Sequence, residues 1–332
     1  FHGECMNVLE ESYLHPWFGP LGVQGNTCDT EFNNLYGLKS KDYPKENSAN
    51  KFNILLVGGS VAEMFYMHNF QREQEFTSGL EVELNKRYQG KNGREISVYS
   101  GAKRDFRQPQ ALHFLIEEIH KYDLVVSLEG YNETWAIREK RIIPNPPAEY
   151  KVLFLRDKLE GLINGKRMIE NTPLKYSGFG KMYYRYLNRE IKTRFYKPTE
   201  YEKYSIESEA AAMDKYLSYQ RAFSALCREF NKPCVTFFQP HPGVKKNLTE
   251  NEIKVAQLNN KHLISGSLYE RVITHQMSSI PKGLNKISLL PLLENIEEDI
   301  YIDHIHLNYR GNEIMSNKII EELAKLDLIV RK

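Results

Sequence analysis

Apolar residues fall along this chain in blocks whose spacing changes from dense runs to a helical repeat and back, and those changes delimit its elements. Phe52 to Val57 is a dense apolar run closed by Gly58-Gly59. It predicts a strand covered on both faces, since a strand with one wet face alternates polar and apolar positions. Ser60 to about Arg87 then predicts a helix, with Leu80, Val82 and Leu84 near its end. A second strand is expected over Ile96 to Tyr99. Pro109 to Lys121 predicts a proline-started helix with Leu112, Leu115, Ile116 and Ile119 on one face. Asp123 to Leu128 is a third buried strand running into Gly130. Later, Ala210 to Phe230 predicts an amphipathic helix, Cys234 to Phe238 a strand before the Pro240 and Pro242 turn, Ile300 to Ile302 a short strand, and Asn312 to Leu326 a closing helix.

Strands alternating with helices at this spacing predict a three-layer α/β/α sandwich with a central, mostly parallel sheet over 51–332. Residues 1–50 carry few periodic apolar runs and many turn formers, among them His15-Pro16, Gly19-Pro20 and Gly25-Asn26. They are expected to form an irregular leader packed on that domain. About 140–209 breaks the alternation. It opens with Pro144-Asn145-Pro146-Pro147, nine tyrosines fall between Tyr176 and Tyr219, and a helical, tyrosine-rich insertion is expected there.

Composition narrows the function classes. With 332 residues, 41% of them hydrophobic, the chain has enough core to fold without a metal or disulfide. Forty-five basic against 43 acidic side chains leave +2, which argues against nucleic acid as a partner. No apolar stretch approaches a membrane span. The first residue is Phe1, which leaves open a preceding anchor or export signal and with it membrane proximity. Cys5, Cys28, Cys227 and Cys234 lack the paired spacing of a zinc site. Four free thiols are the default, with a Cys5–Cys28 bridge as the alternative in an exported protein.

Three polar clusters fall where strands of a parallel sheet end, which is where such sheets gather their chemistry. Gly58-Gly59-Ser60 follows the first strand, Gly130-Tyr131-Asn132-Glu133 the third, and Asp303-His304-Ile305-His306 the last expected one. Taken singly, these are a helix cap, a turn and a surface pair. Together they supply a serine nucleophile, an imidazole base, a carboxylate to orient it and an amide donor for an oxyanion. The sequence is not the Gly-x-Ser-x-Gly elbow, because Val61-Ala62 follows Ser60.

With Gly-Gly-Ser after a strand, Gly-x-Asn after a later one and Asp-x-x-His before the final helix, the chain resembles the SGNH (GDSL-type) hydrolase superfamily from about Lys51 onward. The block Glu129-Gly130-Tyr131-Asn132-Glu133, with Phe106 to Gln110 before it, is similar to a bacterial branch of that superfamily. The resemblance implies a flavodoxin-like fold, Ser60 as nucleophile, His306 as base and Asp303 as its orienting partner. The Ser60 backbone N–H and the Asn132 amide would serve the oxyanion, with a third donor at Gly101 or, by the register of Arg107-Gln108-Pro109-Gln110, at Asp105. It departs from the family in reading Gly-Gly-Ser for Gly-Asp-Ser. The implied reaction is cleavage of an acyl ester, an O-acetyl group on a bacterial surface carbohydrate, with no cofactor. Such a substrate places the protein in the periplasm or cell envelope, with the cytoplasm as the other option. Alternatives are an O-acetyltransferase with the same triad and a catalytically silent binding module.

Gln239, His241 and Glu133 are further candidates for substrate contact, Gln239 and His241 ending a strand on the same rim. A metal held by Asp303, His304 and His306 with His241 is not expected, because neighbours on an extended chain point to opposite faces. His304 is expected to pack or gate. Lys181, Arg185, Arg189 and Lys192 form a basic stripe on a predicted helix over 181–195. That stripe is either a solvated face or a contact for an anionic glycan or headgroup.

Overall fold

A computed structural model of the protein describes residues 12–15, 19–22, 34, 36–47, 49–68, 77–138, 177, 181–182, 209–258, 265–279, 281 and 283–332. The insertion expected over about 140–209 and its basic stripe beyond Lys181 lie almost wholly outside the described residues, as do Cys5 and Cys28.

Five strands form the central sheet: β1 (Lys51–Gly58), β2 (Glu95–Ser100), β3 (Leu124–Glu129), β4 (Cys234–Phe238) and β5 (Leu284–Ser288). They lie in the order β2-β1-β3-β4-β5, and every pairing is parallel. Eight helices accompany them among the described residues: α1 (Ser60–Met67), α2 (Gly79–Arg87), α3 (Gln108–Glu118), α4 (Tyr131–Arg138), α5 (Glu209–Glu229), α6 (Glu250–Leu258), α7 (Gly266–Ser278) and α8 (Tyr309–Lys325). The sheet is buried on both sides. Phe52, Ile54 and Leu56 of β1 join Val98, Val126 and residues of α1, α2 and α8 in one core. Leu55 and Val57 point the other way, to Phe114 and Leu115 of α3 and Phe223 of α5. This α/β/α sandwich is the architecture that continuous apolar strands require.

Register decides where the site forms. Gly58 at the end of β1 lies opposite Leu128, and Glu129 lies opposite Phe238. The turns after β1, β3 and β4 therefore leave the sheet from one edge. On the outer side of β2, residues of the leader cover the strand end: the Ser100 N–H donates to Ser40 Oγ at 3.0 Å and Tyr43 donates to the Ser100 carbonyl at 2.6 Å.

Several expectations need correction. The helix expected over Ser60 to Arg87 is two helices. The first closes at His68 in extended conformation, and Ser78 caps the second by accepting from the Glu81 N–H at 3.2 Å. Ile300 to Ile302 is not a sheet strand. It is one arm of a small loop bridged at Tyr301 and Leu307, with the Ile302 N–H donating to the His306 carbonyl at 3.0 Å. The fifth sheet position belongs to β5, which hides in the sequence because Asn285 and Lys286 interrupt its apolar pattern. As an edge strand it tolerates them: Asn285 is exposed, and Lys286 ties its ammonium to the Gln276 and Ser279 carbonyls at 2.7 and 2.9 Å. In the leader, Ser12–His15 pairs antiparallel with Gly19–Gly22, since turn formers punctuate hairpins as well as irregular chain. The default of four free thiols also fails. Cys227 at the end of α5 and Cys234 at the start of β4 form a disulfide across seven residues. Both are fully buried, so only the fold brings them together.

A buried ion pair fixes the segment after β5. Lys245 Nζ lies 2.6 Å from Glu252 Oε2, with side chains 0% and 1% exposed. Glu252 Oε2 also accepts from the Thr249 N–H, and its Oε1 accepts from the Ile300 and Tyr301 N–H groups at 2.9 and 3.1 Å. Burial alone would raise this carboxyl, but these partners hold it below its usual range. Replacing Lys245 with Met leaves the carboxylate buried without its cation. Urea denaturation of Lys245→Met is expected to show a loss of about 3–5 kcal/mol. A loss below about 1 kcal/mol, the worth of an exposed pair, would contradict this reading.

Candidate active site

The turn after β1 brings its chain close to two neighbours. Gly58 has φ +152°, and a Cβ there would lie 2.2 Å from the Leu128 carbonyl oxygen. A Cβ on Gly59 would lie 2.3 Å from the Asn132 amide nitrogen. Glycine at both positions lets Ser60 open α1 directly beside β3 and Asn132. Ser60 is the first residue of that helix, so its N–H has no helical carbonyl to serve.

The loop that pairs Tyr301 with Leu307 presents Asp303 and His306 at its tip. Asp303 Oδ1 accepts from the Ile305 and His306 backbone N–H groups, both at 2.8 Å. Its Oδ2 lies 2.7 Å from His306 Nδ1, and His306 Nε2 lies 2.8 Å from Ser60 Oγ. Burial would raise the Asp303 carboxyl, but its bonds to the His306 ring and to the two backbone donors hold it well below the usual carboxylate range. An ionised carboxylate only accepts, so Nδ1 carries the ring proton and Nε2 accepts from the Ser60 hydroxyl. Residues 246 positions apart thus form one hydrogen-bonded chain.

Asn132, in the first turn of α4, donates its side-chain amide to the Phe106 carbonyl at 2.8 Å. That carbonyl lies 3.1 Å from where a Cβ on Gly59 would stand, so Gly59, Phe106 and Asn132 meet at one point. Of the two positions considered for a third donor, Gly101 is excluded. Its N–H extends the sheet by donating to the Leu56 carbonyl at 2.8 Å, and a Cβ there would lie 2.9 Å from the Phe114 ring. Asp105 stands instead in a turn closed by the Phe106 N–H and the Lys103 carbonyl, at φ +67°. That left-handed conformation is one glycine adopts freely and aspartate tolerates.

The three residues considered for substrate contact differ. Glu133 does not face a ligand. It is 2% exposed, with one oxygen accepting from the Gln108 N–H and the other from the Gly130 N–H, both at 3.0 Å. Gln239 and His241 are also buried, at the end of β4. Gln239 spends its carbonyl on the Tyr269 hydroxyl at 2.9 Å. The His241 ring stacks on Tyr269 and Tyr131 at 4.6 and 5.8 Å and accepts through Nδ1 from the Gly243 N–H. Burial, and then the nearby His304, push the His241 imidazole down to about 3, so it is neutral. Its Nε2–H and the Gln239 amide nitrogen have no hydrogen-bond partner among the described residues. His304 packs 5.6 Å from the Tyr131 ring. No group of His, Cys, Asp and Glu among the described residues is arranged to hold a metal ion.

Beneath the rim lies a carboxyl that sequence reasoning missed. Glu129, the last residue of β3, is 4% exposed and accepts from the Gln220 amide at 2.9 Å. Burial, and then the neighbouring Glu133, push it well above the usual carboxylate range. Glu133 is raised by burial too, but its backbone donors work against that. Of the two, Glu129 is the one whose surroundings favour the protonated form more strongly. The only sequence signal was a charged residue ending an otherwise apolar strand.

No protein-family model and no curated protein matches this chain. Solved structures similar to it include the acetyl xylan esterase AlAXEase, with a TM-score of 0.43 and 11% identity over 82% of this chain and 100% of that one. Another is Axe2, an acetylxylan esterase from Geobacillus stearothermophilus, with a TM-score of 0.39 and 12% identity over 84% and 96% of the two chains. Likeness at this level decides neither family nor activity, which rest on the geometry of the site.

With burial raising Glu129 to about 8 in the folded protein, the unfolded chain binds fewer protons between about pH 5 and pH 8, and stability falls as pH rises through that window. Glu129→Gln removes that term. Relative to the parent, the variant is expected to gain more than about 1 kcal/mol in urea unfolding between pH 5 and pH 8. A difference independent of pH would show that Glu129 is ionised throughout.

Proposed function

We propose that this protein is a serine esterase of the SGNH type, acting through Ser60, His306 and Asp303. The observation that carries the reading is the continuous chain from Asp303 through the His306 ring to Ser60 Oγ, with bonds of 2.7 and 2.8 Å. Nucleophile, base and orienting carboxylate stand within hydrogen-bond reach in the tautomer that general-base catalysis needs.

In the reaction, Ser60 Oγ attacks the ester carbonyl carbon and its proton passes to His306 Nε2. The negative oxygen is stabilised by the Ser60 N–H, the second amide hydrogen of Asn132 and the main-chain N–H of Asp105. The carbonyl–alkoxy bond then breaks, and His306 returns the proton to the departing alcohol. Water attacks the acyl-serine, gives a proton to His306, and releases the acid as Ser60 regains its hydrogen. Asp303 stays ionised throughout and steadies the imidazolium. No cofactor enters these steps.

The substrate class we propose is an acylated glycan carrying an O-acetyl group, in the periplasm or cell envelope. Two features support it. Tyr309, at the start of α8, is 60% exposed and packs 4.5 Å from the His68 ring, an aromatic face suited to a sugar. The Cys227–Cys234 disulfide is at home in an oxidising compartment. We assign polar contacts with the substrate to Gln239 and His241, whose side-chain donors have no partner among the described residues.

Ser60→Ala is expected to lower kcat/KM for p-nitrophenyl acetate by about four orders of magnitude or more, with unchanged far-UV circular dichroism. Retention of activity within about tenfold of the parent would remove Ser60 from the reaction.

A further inference from the structure

Two loops must be held in register for an oxyanion to meet its donors, and one side chain spans them. The Gln108 N–H opens α3, where no helical carbonyl is available to it. The Gly130 N–H lies between the end of β3 and the start of α4. Both donate at 3.0 Å to Glu133, one to each carboxylate oxygen. The first loop carries Asp105 and Phe106, the second Asn132, and the Asn132 amide meets the Phe106 carbonyl where they touch. We propose that Glu133 is a positioning residue that clamps the two donor loops together, so that Asn132 and the Asp105 main chain face the same oxyanion.

The chemistry suits a carboxylate and nothing else of that size. Two backbone donors approach one side chain and need two acceptor oxygens, which a glutamine cannot offer. Gln108 and Glu133 are 1% and 2% exposed, so an N–H left there without an acceptor costs its desolvation. Glu129 makes this arrangement tolerable. Burial and the nearby Glu133 push its carboxyl towards the neutral form, which limits the charge beside Glu133, and Gln220 on α5 anchors it. Donor geometry built from main chain and one short amide has little slack of its own, so the clamp sets how closely the donors converge.

The proposal rests on the esterase reading above, and its test separates the two. In Glu133→Gln, one of the two N–H groups faces an amide NH2 in place of an oxygen. For p-nitrophenyl acetate, kcat is expected to fall by about ten- to a hundredfold while KM stays within about twofold. Hydrogen exchange of the parent should show slow Gln108 and Gly130 amides, both becoming faster in the variant. A kcat within about twofold of the parent overturns the proposal. Parent amides exchanging as fast as open loops overturn it too, and this second measurement decides the matter if the variant does not fold. A parent protein that is inert towards esters but shows the protected amides would end the esterase reading and leave the clamp standing.

Discussion

A single hydrogen bond, from Ser60 Oγ to His306 Nε2 at 2.8 Å, joins the first strand–helix turn of the sheet to the loop before its last helix. Everything that positions those two groups can be traced to a parallel sheet buried on both faces. Such a sheet sends each strand out at the same edge, so turns distant in sequence become neighbours. The register that sets Gly58 against Leu128 and Glu129 against Phe238 puts Ser60, Asn132 and His241 on one rim. The histidine arrives from elsewhere. Its loop belongs to no sheet strand and owes its place to backbone bonds onto Asp303 and to the buried Lys245–Glu252 pair.

Two kinds of buried charge therefore frame the site. On the histidine side, a complete ion pair pins the Ile300 and Tyr301 backbone. On the serine side, two buried carboxyls, Glu129 and Glu133, flank the Gly130 turn, and Glu133 spends both oxygens on main-chain donors. Buried carboxylates are costly unless fully bonded, and here Glu252 and Glu133 each bond backbone N–H groups that would otherwise lack a partner. Rigidity is placed next to the reacting groups, where a small misplacement costs most.

Much of this was legible in the sequence, for identifiable reasons. Dense apolar runs mark the inner strands, and a polar cluster stands out where such a run stops, which is how Ser60, Asn132 and the Asp303–His306 pair were found. The edge strand Leu284–Ser288 was not legible, because one face of an edge strand can be polar and Lys286 satisfies its charge through carbonyls of another segment. Glu133 was expected to be a candidate for substrate contact. In the first turn of a helix adjacent residues face different ways, and it turned inward. The choice between Gly101 and Asp105 depends on tertiary structure. Residue type favoured the glycine, whereas the spent N–H of Gly101 and the left-handed backbone of Asp105 favour the aspartate. The Cys227–Cys234 bridge depends on how α5 meets β4, which spacing alone does not encode.

The central claim is that Ser60 is activated by His306. A fluorophosphonate probe tests this most directly, because it reacts only with a serine whose proton has somewhere to go. Peptide mapping after labelling is expected to find one adduct, on the peptide containing Ser60, and none when His306 is replaced by Ala. A folded parent protein that stays unlabelled, or carries the adduct elsewhere while Ser60 is untouched, would contradict the account and leave a binding module built on the same sheet.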